Sequence, residues 1–253
     1  MKRSLTALVL AAALLLSGCG DTSSPQEETP SQQAQETAPE TSPPSDSPVP
    51  EPEENPSVEE TEDHVLSTLE ATVDGGRILT LCAVGKKSAD IDQWGVREVQ
   101  VYEGEQLLQT ISVQEAIDAD GVDGIDSGYT QCWSAEDSMA VEDLNFDGSD
   151  DVDLFGWIPA NAVPHYYWLW DSDLEAYRYA LCLQGVSLDA QAREIVSEYR
   201  YANGVDYADY YAPDDTGDLM LVRREITDYT RGDGQSPLVE IYTVKDGQLT
   251  LAQ

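Results

Sequence analysis

Basic residues are scarce in this chain: 13 Lys and Arg stand against 49 Asp and Glu in 253 residues, a net charge of −36. A field of that sign repels phosphate backbones and argues against a nucleic-acid partner, leaving divalent cations and basic proteins as the complementary ones. Histidine is scarcer still, with His64 and His165 alone. There is no G-x-S-x-G, no H-E-x-x-H and no Cys-His constellation, so the usual signatures of serine, zinc and cysteine hydrolases are missing. Nor does the main apolar run, Leu5 to Leu16, reach the roughly 20 residues that a membrane-spanning helix needs.

That run makes sense with its flanks. Lys2 and Arg3 precede it and Leu16-Ser17-Gly18-Cys19 closes it, giving the basic, apolar and small-residue regions of a secretory signal peptide over residues 1–18. Leu-Ser-Gly-Cys resembles the lipobox of bacterial lipoproteins, which implies lipidation of Cys19. One acyl chain binds a membrane only marginally, so the two or three chains of that modification are needed for a stable anchor. The expected location is the extracytoplasmic face of the cell membrane.

Beyond Cys19, Gly20 to Glu62 is built of Ser, Thr, Pro, Glu and Gln, without a single Lys or Arg. Such a segment buries too little apolar surface to offset its ordering entropy, and we expect 19–62 to be the lipidated Cys followed by a disordered tether. Its reach is roughly 35 Å as a coil and about 130 Å if its Pro-rich parts extend. Twelve of the 49 acidic residues and two of the 13 basic ones precede residue 63, so residues 63–253 carry a net charge of −26. Once Cys19 is lipidated, Cys82, Cys132 and Cys182 remain; in an exported protein two are expected to pair, and their spacing does not select which.

Residues 63–253 suffice for one core. Most segments alternate with period two between Gly, Asp and Asn turns, which predicts antiparallel β structure. Three stretches share a hairpin form: Val99–Leu108, Tyr167–Tyr177 and Val239–Leu249. A further strand is expected at Leu219–Ile226. Tyr166, Trp168 and Trp170 fall on one strand face and Tyr167, Leu169 and Asp171 on the other, a stripe read as core. Ser112 to Ala119 opens like a capping box, and Ser187 to Tyr199 has mixed periodicity compatible with a second short helix. The predicted fold is mainly β, with antiparallel hairpins in a propeller-like or sandwich arrangement and one or two short helices.

One motif carries chemistry. Asp143-Leu-Asn145-Phe-Asp147-Gly148-Ser149-Asp150-Asp151 has the spacing D-x-N-x-D-G-x-x-D. Oxygens at alternate positions of a tight loop converge, and a glycine at the sixth position allows the bend that returns the later ligands, which is how calcium loops are made. Asp143, Asn145, Asp147 and Asp151 are the expected side-chain ligands of Ca2+, with Ser149 contributing its carbonyl. An EF-hand is excluded, because the twelfth position is Leu154 and the flanks read as strands. The bland alternative is an Asx-rich turn held by its own hydrogen bonds. A second acidic cluster, Asp118 to Asp126, lacks the register and is expected to be a solvated loop.

Asp-Leu-Asn-Phe-Asp-Gly, then a strand, a Gly and Tyr-Tyr-Trp-Leu-Trp-Asp, resembles the calcium-loop family of a propeller-like immunity protein that inhibits a lysozyme-type effector of a bacterial-killing type IV secretion system. The likeness covers about residues 141–180. It implies a β-rich domain with bound calcium, and no inhibitory loop carries across. The expectation is therefore a membrane-anchored, calcium-stabilised, non-catalytic binding protein whose partner is an envelope protein or a cell-wall hydrolase. The rival expectation is a carboxylate-dependent hydrolase acting on an envelope glycan.

Overall fold

The computed structural model describes residues 60–252, except 121, 160–162, 202 and 232–235. All of these belong to the unit Pro52–Gln253. The signal peptide, Cys19 and nearly all of the tether lie outside the described residues.

Three antiparallel sheets form in chain order, each a simple meander. The first joins β1 (His64–Val73), β2 (Arg77–Lys87), β3 (Trp94–Glu103) and β4 (Gln106–Ser112). The second joins β5 (Met139–Glu142), β6 (Asp151–Phe155), β7 (Pro164–Asp171) and β8 (Ala176–Gln184). The third has six strands: β9 (Val186–Asp189), β10 (Glu194–Tyr201), β11 (Val205–Pro213), β12 (Leu219–Asp228), β13 (Leu238–Lys245) and β14 (Gln248–Leu251). Meanders need only tight turns. The last hairpin turns through Asp246 and Gly247, both at positive φ (50° and 73°), as a two-residue turn matched to strand twist requires.

The arrangement is sandwich-like, with no closed barrel, and the second sheet lies in the middle. Alternation within β7 explains how. Tyr166, Trp168 and Trp170 enter the main core with Val152 and Leu154, against Leu79, Leu81, Val99 and Val101 of the first sheet. Tyr167 and Leu169 enter a smaller core with Leu144, Leu183 and Ile195, the last from the third sheet. A strand buried on both faces reads as a continuous apolar and aromatic run, and β7 does. The aromatic stripe is thus core on both sides.

The three hairpins and the strand at Leu219 form as expected. Among the described residues there is one α-helix, α1 (Val113–Asp120), whose Val113, Ala116 and Ile117 face the main core at helical spacing, and a single 3-10 turn at Glu136–Ser138. Ser187–Tyr199 is not helical. It supplies β9 and β10, whose pairing with each other and of β10 with β11, together with the packing of Ile195 on Leu183 of β8, overrides its ambiguous periodicity. The expected disulfide is also corrected: none of Cys82, Cys132 and Cys182 is in a disulfide. Cys82 is on β2 of the first sheet and Cys182 on β8 of the second, whereas Cys132 is buried in the connection between those sheets. There its thiol donates to the carbonyls of Ser134 (3.2 Å) and Trp94 (3.5 Å). Burial, reinforced by Asp137, pushes this thiol up to about 12, so it stays protonated and inert.

One glycine fixes how closely β2 and β3 run. A Cβ on Gly85 would lie 1.9 Å from the carbonyl oxygen of Gly95, beside the register shift at Val84/Gly85. Backbone cannot yield as a side chain does. Gly85→Ala is therefore expected to destabilise the domain by about 3 kcal/mol, the upper end for overpacking. Urea unfolding measures this, and a midpoint equal to the parent's would contradict the close approach.

Candidate functional site

The Asp143–Asp151 loop joins β5 to β6. Phe146 (φ 60°) and Gly148 (φ 92°) supply two left-handed bends, so the loop doubles back on itself. The glycine was legible from the spacing, but Phe146 was not. Its strained backbone is held from outside by packing against the smaller core and by Arg193, which donates to its carbonyl at 2.8 Å.

The expected ligand residues sit on this one loop in two tiers. Asp143 caps it, accepting from the backbone N–H of Asp147 and of Gly148, each at 3.0 Å. Asn145 is buried; its Oδ1 accepts from Asp147 N–H (3.2 Å), and its Nδ2 donates to Asp147 Oδ2 (3.0 Å) and to the carbonyl of Gly217 (3.2 Å). Asp147 accepts from Ser149 N–H at 2.8 Å. Ser149 also uses its hydroxyl, which accepts from Asp74 N–H at 3.3 Å.

Asp151 differs from the others in being wholly buried. Its oxygens accept one backbone N–H each, from Trp170 and from Leu144, both at 2.9 Å. Burial drives its pKa up to about 7 against the pull of those two N–H groups, and Asp147 and Asp143 push in the same direction as burial. Among the described residues no Lys, Arg or His is paired with it. A buried carboxylate without a counter-charge is costly to ionise.

Asp150, outside the expected ligand set, faces away from the loop. Its N–H donates to the carbonyl of Thr72 (2.8 Å), and its carboxylate accepts from Thr72 N–H (2.7 Å). Tyr177 donates to its carbonyl at 3.2 Å. Asp74 receives the indole N–H of Trp170 (3.0 Å) and the hydroxyl of Ser172 (2.6 Å), and these two bonds, Ser172 first, hold its carboxyl below the usual range. The loop therefore touches the end of β1 in the first sheet, β7 in the second, and the β9–β10 and β11–β12 turns of the third through Arg193 and Gly217. It is where all three sheets meet. Motif spacing gave the loop; Thr72, Asp74, Arg193 and Gly217 are too distant in the chain to be read from it.

Among the described residues, no group of three or more His, Cys, Asp or Glu forms a ready-made metal cage. The loop carboxylates are instead satisfied by N–H donors. That state does not exhaust them: an ionised carboxylate has about four lone-pair sites, and each N–H bond uses one. An oxygen-rich donor set with an uncompensated buried carboxylate fits a hard divalent cation. The second acidic stretch is spent otherwise. Asp126 pairs with Lys86 at 3.0 Å, and Asp123 accepts from Gly128 N–H at 2.9 Å, while the side chain of Asp120 lies outside the described residues.

A second cleft, of about 320 Å³, brings Glu142 and Asp153 together with His165 and Tyr167. His165 Nδ1 lies 2.7 Å from Asp153 Oδ1, and Glu142 is raised by burial and then by Asp153.

The fold and site define a class: an antiparallel β protein of three meander sheets tied at one acidic loop. No family model and no curated protein matches this chain. Among solved structures it is similar to a Xanthomonas type IV secretion system related protein, with 14% identity and a TM-score of 0.49, covering 76% of this chain and 98% of that one. At that level the likeness carries no argument about function. No helix among the described residues is long and apolar enough to cross a membrane.

Proposed function

We propose that this chain is a calcium-stabilised binding protein held outside the cell by lipid on Cys19, and that its partner is a basic envelope protein of the cell-wall hydrolase kind. The observation that carries the calcium reading is Asp151: a carboxylate with no exposure and no counter-charge among the described residues, placed where three sheets converge. A divalent ion coordinated by Asp143, Asn145, Asp147, Asp151 and the Ser149 carbonyl supplies the missing positive charge. This chain's own residues do the rest: Trp170 and Leu144 orient Asp151, and Gly217, Arg193 and Thr72 fasten the loop to its neighbours.

Two features support binding. The net charge of −26 over residues 63–253 steers a basic partner toward the domain. And β12, β13 and β14 contain no buried residue, so the outer part of the third sheet leaves Met220, Val239, Leu249 and Leu251 exposed. Of these, Leu249 and Leu251 lie on one face of the edge strand β14, and apolar side chains side by side on a surface suit protein contact.

The rival reading, a carboxylate hydrolase, has the Glu142–Asp153 cleft in its favour. One assay separates the two. Purified chain is added to a peptidoglycan suspension with and without each of several wall hydrolases, and turbidity is followed. The expected outcome is slowed lysis with at least one hydrolase and no clearing by the chain alone. Clearing by the chain that is lost in Glu142→Gln would establish the rival, and unchanged lysis across all hydrolases would remove the inhibitor.

A further inference from the structure

The third sheet parts from the second halfway along β10. On one face of that strand Ile195 and Ser197 are buried, whereas Tyr199 is half-buried and Tyr201 is 58% exposed. Register sets Ser197 opposite Asp209, Tyr199 opposite Tyr207, and Asp209 opposite Arg224. Where the sheets diverge, a cavity of about 420 Å³ opens between this face and β8, lined by Gln184, Tyr199, Tyr201, Asp209, Tyr211 and Arg224. That volume falls among small-molecule sites, roughly 300–1,000 Å³.

The cavity has a fixed polar floor. Asp209, its side chain 3% exposed, receives Arg224 through Nε at 2.5 Å and Nη2 at 2.6 Å, and the hydroxyl of Tyr199 at 3.0 Å. This bidentate pair is rigid and internally neutral. It leaves Arg224 Nη1 without a partner among the described residues, and the same holds for the Tyr211 hydroxyl and the Gln184 carboxamide. An aromatic wall stands beside it. Tyr199 and Tyr207 stack at 5.2 Å with planes 2° apart, and Tyr201 meets both edge-on, at 5.7 and 5.3 Å.

These features select a ligand by exclusion. An anion finds Arg224 already neutralised and the surrounding charge unfavourable. A cation finds no spare carboxylate, since Asp209 is taken and the rim residue Arg200 is paired with Asp206. What remains is an uncharged molecule with apolar ring faces and a rim of hydroxyl or amide groups. Tyrosine meets both needs, with a flat apolar body and a polar tip. We propose that this cavity binds a neutral oligosaccharide, one pyranose ring lying against the tyrosine wall and its hydroxyl or acetamido groups bonded to Arg224 Nη1, Gln184 and Tyr211. The site shares no residue with the Asp143–Asp151 loop and does not rest on the calcium reading.

Isothermal titration of the full chain in 1 mM calcium tests this with chitotetraose, cellotetraose and maltotetraose as neutral probes, trigalacturonate as an anionic one and tetra-alanine as a peptide. At least one neutral sugar is expected to bind, with trigalacturonate and tetra-alanine silent. Gln184→Ala, at a residue whose side chain bonds nothing among the described residues, is expected to weaken binding about 3- to 10-fold, the value of one hydrogen bond, without moving the melting temperature. Tyr199→Ala is expected to weaken it at least as much, and Tyr229→Ala, outside the cavity, not at all. No heat from any neutral sugar at 10 mM, preference for trigalacturonate or tetra-alanine, or unchanged affinity in Gln184→Ala and Tyr199→Ala together each overturn the proposal. Melting in calcium and in chelator, run on the same variants, keeps this result separate from that of the loop.

Discussion

Trp168→Ala is expected to destabilise the domain by about 3–5 kcal/mol, which for a domain of this size lowers the melting temperature by roughly 6–20 °C. Among the described residues Trp168 is the largest fully buried side chain, set edge-on against Tyr179 at 5.2 Å and Tyr166 at 6.3 Å, in the core between the first and second sheets. Alanine would leave a void that cross-strand neighbours on a rigid meander cannot fill. One detail sharpens the expectation: the indole Nε1 is buried without a hydrogen-bond partner among the described residues. An orphaned donor costs stability, so Trp168→Phe removes a penalty while losing only part of the ring, and its net cost is expected to stay below about 2 kcal/mol. Denaturant midpoints of the two variants decide it. Equal damage from Phe and Ala would mean that the indole N–H is not an orphan.

Calcium is expected to raise the melting temperature by roughly 5–11 °C at 10 mM over chelator. The figure follows from linkage. A site with a dissociation constant of about 10⁻⁴ M, as in extracellular modules, gains about 2.7 kcal/mol at a hundredfold excess of ion, and each kcal/mol moves a domain of 150–250 residues by about 2–4 °C. The loop's position makes the gain global, because the ion would fasten the point where Thr72, Trp170 and Gly217 bring three sheets together. Asp147→Ala is expected to abolish the difference between calcium and chelator. In chelator the variant should melt within a few degrees of the parent, since the exposed Asp147 carboxylate makes only loop-internal bonds, to Ser149 N–H and Asn145 Nδ2. A variant that loses stability equally in both buffers would make Asp147 a turn residue and nothing more.

Much of the fold was legible because period-two patterning and tight turns are local. The hairpins at Val99–Leu108, Tyr167–Tyr177 and Val239–Leu249 each pair neighbours in sequence, so their residues carry the whole signal. Ser187–Tyr199 was not legible for the opposite reason: Ile195 and Ser197 point inward and Glu198 and Arg200 outward only because β8 and β11 lie beside them. The choice between propeller-like and sandwich arrangements turned on how sheets stack, which depends on Ile195 meeting Leu183 across sheets, and no local pattern encodes that. The cysteines misled for a similar reason. Export predicts pairing, but Cys82 and Cys182 ended on different sheets.

The candidate site divides along the same line. Asp143, Asn145, Asp147, Gly148 and Asp151 announce themselves by spacing, as does the bend at Gly148. The burial of Asp151, the left-handed Phe146 and the docking of Asn145 on Gly217 come from long-range packing. Tyr199, Asp209 and Arg224 were invisible as a group, because they converge only through the register of β10, β11 and β12.

Diffraction from crystals grown in 5 mM calcium, with data collected at a long wavelength, tests the loop most directly. The expected result is an anomalous peak about 2.3–2.6 Å from oxygens of Asp143, Asn145, Asp147 and Asp151 and from the Ser149 carbonyl. A loop holding only its own N–H bonds and water at that calcium concentration, with no anomalous signal, would contradict it.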